Sequence, residues 1–286
     1  MIHSLSAFLA ILAVANALSR SAVMRPFSEG NAFKVISGLK NFDAANVKDV
    51  VSAACLGGAS HVDLACDASL VRLAKSISSE MPVCVSSIVP LDFVAAVEAG
   101  ADMIEIGNFD AFYDQGLKFS AEDVIAMTIE TRKLLPNTPL SVTVPHTLTL
   151  SEQVTLAVRL QECGADIIQT EGKMVARSSS MGVQEMIEMA APTIASAFAL
   201  SRAVTIPVMC ASGLNDVTAP LALAAGARGV GIGSMVNKLP SSQQMVLAVE
   251  AVASAINRSK STTQGIRAEE AFQVSSKSLT SSEIFA

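Results

Sequence analysis

Tryptophan is absent from this chain of 286 residues, tyrosine occurs once (Tyr113), and only 16% of the residues are charged. Each shortage excludes a class of function. Stacking nucleic-acid bases takes aromatic rings, and neutralising their phosphates takes a basic surplus, whereas the formal net charge is −6. No nucleic-acid partner is expected. Cys55, Cys66, Cys84, Cys163 and Cys210 are odd in number, fall inside predicted helices and strands, and show no CxxC spacing. They suit buried thiols in a reducing compartment, neither a disulfide framework nor a zinc site, and no metal is expected. Past the first residues no apolar run is long enough to span a bilayer, so stable membrane insertion is not expected.

What the chain has in abundance is aliphatic surface: 51% of its residues are hydrophobic, enough for one large core. Residues 1–32 read as a leader. An apolar stretch from Leu5 to Val14 ends in Ala15-Asn16-Ala17, a small-x-small cleavage pattern, although no Lys or Arg precedes it. The following segment, Leu18 to Phe27, is basic, hydroxylated and free of acids, like a transit peptide. A signal followed by a transit-like segment implies delivery to a plastid stroma; plain secretion is the alternative, which the cysteine pattern disfavours. Residues 33–257 form the one expected domain, and 258–286 a Ser- and Thr-rich tail without periodicity.

Within that domain one phrase recurs four times: Gly-Ala, then a short apolar strand with one distinctive residue at a fixed place. Gly58-Ala59 precedes Asp63, Gly100-Ala101 precedes Glu105, Gly164-Ala165 precedes Gln169, and Gly226-Ala227 precedes Gly231. Between these copies lie strands announced by Pro82, Pro139 and Pro207. Glycine closes each preceding helix in the left-handed conformation, and proline sits where no ladder hydrogen bond is yet needed. Two alternating kinds of strand with helix-length spacers predict a single (β/α)8 TIM barrel, with the look of duplicated two-unit blocks. Asp43, Asp67, Ser120 and Thr149 are expected helix caps, Phe42 and Val47 a hydrophobic staple, and Pro192 the opening of the main part of the sixth helix.

In such a barrel, side chains of alternate strands share an interior layer. Asp63, Glu105, Gln169 and Gly231 are expected in one layer, with Ala65, Gly107, Glu171 and Gly233 above it. Uncompensated carboxylates inside a barrel cost several kcal/mol, so they need partners, and Ser86, Ser141 and Thr143 are available donors. The arrangement reads as a polar floor beneath a ligand; the alternative is a network that merely pins the barrel.

Cys210-Ala211-Ser212-Gly213-Leu214 with Gly229-Val230-Gly231-Ile232-Gly233-Ser234 resembles the phosphate site shared by flavin mononucleotide and sugar-phosphate barrels. Glycines at both strand ends let backbone N–H groups approach an anion, and a helix start adds partial positive charge. Ser212, Gly213, Gly233 and Ser234 are the phosphate-binding candidates; the less favoured alternative is that these glycines only permit tight strand-to-helix turns. Glu171, His146, Glu105 and Asp63 are the candidate catalytic residues, and Gln169, Asn108, Thr143 and Ser86 the substrate-lining ones. Asn41, Lys40 and Lys173 near the mouth read as ligand contacts or as ordinary capping and solvated groups. Cys66 and Cys210 read as fillers more readily than as nucleophiles, and the loop from Gly172 to Gly182 as a lid. No Schiff-base lysine is evident at an interior strand position, which weakens an aldolase reading.

Lys34-Val35-Ile36-Ser37-Gly38-Leu39, Glu105-Ile106-Gly107-Asn108-Phe109-Asp110, Ser141-Val142-Thr143-Val144-Pro145-His146-Thr147, Ile168-Gln169-Thr170-Glu171-Gly172 and Cys210-Ala211-Ser212-Gly213-Leu214 together resemble the conserved hypothetical chloroplast reading frame twenty-three family of plastids and cyanobacteria. The resemblance runs from about Lys34 to Lys238. It implies a plastid-type TIM barrel and supplies no reaction, so no catalytic residue is carried over from it. The expectation is a barrel that binds a phosphate-bearing small molecule at its C-terminal mouth and acts on it. Flavin mononucleotide is a possible cofactor, making an oxidoreductase, and a sugar-phosphate isomerase or lyase is the close second. Against flavin stands the lack of a strand-end Lys or Arg to meet the isoalloxazine carbonyl. The rival of a different class is a non-catalytic metabolite sensor or assembly protein.

Overall fold

A computed structural model describes residues 20–172 and 180–258. Eight parallel strands close in sequence order: β1 (Ala32–Ile36), β2 (His61–Ala65), β3 (Val83–Ser87), β4 (Met103–Ile106), β5 (Leu140–Val144), β6 (Ile167–Thr170), β7 (Val208–Ala211) and β8 (Gly229–Ile232), with β8 pairing back onto β1. Around them lie α1 (residues 20–29), α2 (Ala44–Gly57), α3 (Ala68–Ile77), α4 (Asp92–Glu98), α5 (Asp110–Tyr113), α6 (Ala121–Leu134), α7 (Leu150–Glu162), α8 (Val183–Ala203), α9 (Ala219–Ala224), α10 (Ser234–Asn237) and α11 (residues 242–258). The expected (β/α)8 barrel is present.

The Gly-Ala phrase does the same work four times. Gly58, Gly100, Gly164 and Gly226 all take positive φ, from 84° to 113°. The alanine N–H then reaches back across the helix end, Ala59 to Ala54, Ala101 to Ala96, Ala165 to Leu160 and Ala227 to Ala222, at 3.0–3.2 Å. These are 6→1 Schellman closures, satisfying carbonyls that a helix otherwise leaves unpaired. The next residue opens the strand: Ser60, Asp102, Asp166 and Arg228 donate to carbonyls of Phe33, Val83, Leu140 and Val208. Helix termination and strand register are thus fixed by the same three residues.

At the helix starts, Asp43 and Asp67 cap α2 and α3, and Ser120 with Asp123 and Thr149 with Glu152 form capping boxes. Two local expectations fail. Phe42 is 61% exposed, so no staple buries it. Pro192 lies inside α8 instead of opening it, because Val183 begins the helix nine residues earlier and a proline removes one rung without forbidding the rest.

A two-residue period sorts the strands. Val35, Val62, Leu64, Val85, Ile104, Val142, Ile168, Val208 and Val230 join the shell between barrel and helices. The opposite face turns to the axis. At its lower end Ala32, Cys84, Met103, Ile167 and Met209 pack with Val23 and Phe27 of α1. Within the part of the expected leader that the structure describes, residues 20–29 form α1, a plug under the barrel held by aliphatic contact, by Val23 O to His61 Nε2 (2.9 Å), and by an Arg20–Asp166 ion pair. Residues 1–19 and 259–286, which hold the rest of the leader and nearly all of the tail, lie outside the described residues. No helix among the described residues is long and apolar enough to cross a membrane.

Candidate functional site

Two residues above the base the barrel interior changes character. Lys34, Asp63, Glu105, Ser86, Ser141, Thr143 and Gln169 are all buried there. Ladder register sets them side by side: Ser86 pairs with Glu105, Glu105 with Ser141, and Thr143 with Gln169. Lys34 Nζ stands 2.5 Å from Glu105 Oε2, and Glu105 Oε1 accepts from Gln169 Nε2 at 2.7 Å and Asn108 Nδ2 at 3.4 Å. Asn108 Nδ2 also donates to Ser86 Oγ (3.1 Å), which donates to Asp63 Oδ1 (2.6 Å). Gln169 Nε2 further meets Thr143 Oγ1 at 3.2 Å.

The predicted layer of Asp63, Glu105 and Gln169 thus faces the axis, and the donors expected for its carboxylates are partly right. Ser86 serves Asp63; Thr143 accepts from Gln169 instead of donating to a carboxylate, and Ser141 Oγ has no partner. The counter-charge comes from Lys34, which corrects the expectation that no lysine occupies an interior strand position. Burial alone disfavours its charge, but Glu105 and Asp63 outweigh that and hold its pKa above the ordinary lysine value. A lysine held as ammonium is a cation and not the free amine that Schiff-base chemistry requires. Burial pushes Asp63 up to about 6, with Lys34 opposing and Glu105 adding to the shift.

Above the floor, the loops after β4, β5 and β6 meet at Glu171. Its Oε1 accepts from the Asp110 backbone N–H (2.8 Å); its Oε2 accepts from Tyr113 Oη (2.7 Å) and the His146 backbone N–H (3.1 Å) and lies 3.0 Å from His146 Nδ1. Tyr113 stacks edge-on against His146 with centroids 4.9 Å apart. Burial first, then Glu171, raises the Tyr113 pKa, so the phenol stays a donor. A carboxylate oxygen accepts, so in this contact the Nδ1–H of His146 is the donor toward Glu171. Glu171 thereby fixes the ring of His146 and the phenol of Tyr113, an arrangement the sequence did not reveal.

The glycine turns divide likewise. A Cβ on Gly213 would lie 2.3 Å from the Met189 carbonyl oxygen, so this glycine exists to let α8 pass close. Ser212, at φ 87°, donates to Gly172 O at 3.3 Å. A Cβ on Gly233 would meet nothing closer than Ile36 O at 3.6 Å, so no packing requires this glycine. Ser234 after it is exposed and opens α10, which Asn237 ties to β1 through Ile36 O and Ser37 O, both 3.0 Å. Gly107, by contrast, is obligatory, since a Cβ there would lie 2.0 Å from Thr143 Oγ1.

Other candidates fall to structural roles. Asn41 Nδ2 bridges Ser37 and Asn46. Lys40 binds Ala111 O and lies over the Phe112 ring. Burial pushes the Cys66 and Cys210 thiols up to about 12 and about 11, leaving them inert at neutral pH. Lys173 and most of the expected lid, residues 173–179, lie outside the described residues. Among the described residues no cluster of His, Cys, Asp and Glu could hold a metal ion.

Comparison with known proteins adds a family and a fold. The family model described as "Protein of unknown function (DUF561)" matches residues 18–262. "Uncharacterized protein ycf23" of Cyanophora paradoxa is 45% identical over 226 residues, covering 79% of this chain and 93% of that protein. Among solved structures, 3-hexulose-6-phosphate synthase superposes with TM-score 0.56 at 14% identity, over 78% of this chain and 99% of that one. (S)-3-O-geranylgeranylglyceryl phosphate synthase from Thermoplasma acidophilum, in complex with sn-glycerol-1-phosphate, gives TM-score 0.54 at 14% identity, over 83% and 97%. At such identities these structures speak for the barrel alone.

Proposed function

The chain belongs to the DUF561 family together with the algal ycf23 proteins, and from that premise we propose that it is a plastid enzyme whose barrel binds a phosphate-bearing small molecule at the C-terminal mouth and transforms it. The observation that carries the reading is the coincidence, at one end of the barrel, of an unfilled glycine turn at Gly233 with the Glu171–His146 pair. The phosphate sits on the N–H groups of Gly233 and Ser234, with Ser212 and Gly213 flanking it. His146 Nε2 exchanges protons with the substrate while Glu171 holds the ring. Asn108 (φ 57°) and Ser212 (φ 87°), the non-glycine residues with positive φ among those described, both follow strands at this mouth. Strain of this kind persists where the surroundings over-determine it, and it gathers at functional sites.

Sugar phosphates fit this site better than flavin mononucleotide, because the floor presents Lys34, Asp63 and Glu105 where a flavin would bring a broad apolar ring. The barrel complexed with sn-glycerol-1-phosphate shows that this fold can accommodate a ligand of that class. The plastid address rests on the ycf23 relatives and on the leader. Because α1 completes the base and the family match begins at residue 18, leader cleavage falls before Arg20 and not at residue 32.

The test is a thermal-shift series with inorganic phosphate, sn-glycerol-1-phosphate, ribulose 5-phosphate and flavin mononucleotide. Phosphate-bearing ligands should raise Tm, and Gly233→Phe should abolish the rise while leaving the unliganded Tm within a few degrees. Equal stabilisation of Gly233→Phe and the unaltered protein would overturn the phosphate site. His146→Ala should retain the shift and lose turnover; in-cell function intact in His146→Ala but lost in Gly233→Phe would make the barrel a sensor.

A further inference from the structure

The floor has hydrogen-bonding capacity that the protein leaves unused. Asp63 Oδ2, Gln169 Oε1 and Ser141 Oγ are buried without a partner. Lys34 carries three N–H donors on Nζ, and Glu105 is the acceptor that meets it. Buried polar atoms are almost always satisfied, and leaving one bare costs more than a made bond gains, so three bare atoms turned into one barrel interior from β2, β5 and β6 call for a guest. The guest must offer an acceptor to the ammonium and a donor to the carboxylate and amide oxygens. A phosphate offers acceptors only and would bring charge against Asp63 and Glu105; an ammonium would oppose Lys34; an apolar group would satisfy nothing.

Resting on the mouth reading for the ligand's entry, we propose that the floor receives a hydroxy-carbonyl group, the adjacent C=O and C–OH of a phosphorylated sugar-like substrate, with Lys34 holding the carbonyl oxygen and the Asp63 carboxylate moving a proton between the two carbons. Asp63 Oδ2 takes the proton from the carbon bearing the hydroxyl, and that C–H pair becomes the C=C bond. The carbonyl π pair moves onto oxygen, and the Lys34 ammonium stabilises the resulting enediolate. Asp63 then returns its proton to the former carbonyl carbon as the hydroxyl proton passes to the oxyanion. Atoms and electrons balance within one molecule, as an isomerisation, with no external oxidant or reductant. Burial, opposed by Lys34, pushes Asp63 up to about 6, so the group is ionised at neutral pH yet basic enough to act. Partly exposed Asn108 bridges Ser86 and Glu105, and its displacement is the entry route the proposal requires.

The experiment is calorimetric binding of glycolohydroxamate, a phosphate-free mimic of an enediolate, beside inorganic phosphate and glycerol 3-phosphate. The proteins are the unaltered chain, Gly233→Phe, and the double variant Lys34→Met/Glu105→Gln, which removes both charges and so avoids stranding one. Glycolohydroxamate should bind the unaltered chain and Gly233→Phe alike, and the double variant at least about tenfold more weakly, the loss of one charge-assisted hydrogen bond. In D2O, the unaltered chain should exchange a carbon-bound proton of dihydroxyacetone phosphate, and Asp63→Asn should not. Equal glycolohydroxamate affinity in the double variant, with its circular dichroism native, would overturn the proposal and leave water as the occupant of the floor. Failure of inorganic phosphate and glycerol 3-phosphate to bind any form, with glycolohydroxamate still selective for Lys34, would sink the Gly233 site and sustain this one.

Discussion

The base of the barrel and its floor are two residues apart on the same strands, yet they are built to opposite ends. At the base, Ala32, Cys84, Met103 and Ile167 pack on Phe27 of α1, and the buried His61 is matched on both ring nitrogens, by Ser60 Oγ and Val23 O. Next along those strands in the inward direction come Lys34, Ser86, Glu105 and Gln169, a charged layer. Three of the four buried side-chain oxygens without a partner among the described residues lie on this interior face, the fourth being on α6. A barrel selected only for stability would repeat the lower layer in the upper one. The contrast teaches that the base holds the fold by packing, while the floor carries buried charge and bare polar atoms at a cost in stability, which is what the proposed ligand would offset.

The sharpest way to break that comparison is to remove one member from each layer. Phe27→Ala should cost about 3–5 kcal/mol, by lost burial plus a cavity, read by urea unfolding. Ligand binding by the folded fraction should be untouched. Lys34→Met should cost a similar amount, about 3–5 kcal/mol, for another reason: Glu105 is left buried and uncompensated. Adding Glu105→Gln should recover most of that loss, whereas no second substitution of a polar group can refill the Phe27 cavity. A Lys34→Met protein as stable as the parent, or a double variant with no recovery, would erase the distinction between the layers.

Most of the fold was legible in the sequence, and the reason is local. Gly58, Gly100, Gly164 and Gly226 encode helix end, left-handed turn and strand start within three residues, so a fourfold repeat could be counted along the chain. The inward register of Asp63, Glu105 and Gln169 followed from their equal offsets. Lys34 escaped because β1 carries no Gly-Ala phrase, so no repeated offset marked which of its residues face the axis. Its signal was indirect: Phe33 and Val35 flank it as shell residues, and two inward carboxylates needed a cation. The Glu171 cluster escaped for a different reason. Asp110, Tyr113, His146 and Glu171 come from three loops, and no periodicity relates residues that meet only through loop conformation. Likewise α1 looked like a leader, since composition says nothing about whether Val23 and Phe27 find a hole to fill.

The finest probe of the comparison is pH, because the two layers hold ionisable groups displaced in opposite senses. Burial pushes His61 down to about 4 from an ordinary 6.5, so it is neutral in the fold and takes up a proton more readily when unfolded. Its contribution is complete above pH 6.5 and drains away, by about 3 kcal/mol, as pH falls toward 4. Asp63 is pushed up to about 6 from an ordinary 3.8, so the fold holds the proton more tightly than the unfolded chain does. Its contribution is complete below 3.8 and is lost, by up to about 3 kcal/mol, as pH rises through 6. Between pH 4 and 6 the two slopes oppose, and the unaltered chain should show a nearly level stability profile across that window. His61→Gln should leave the Asp63 slope alone, so that stability falls as pH rises; Asp63→Asn should leave the His61 slope, so that stability climbs. Urea unfolding at pH 4.5, 5.5 and 6.5 reads all three profiles. If both variants kept the level profile of the parent, base and floor would not be the separately tuned layers that the geometry of His61 and Asp63 describes.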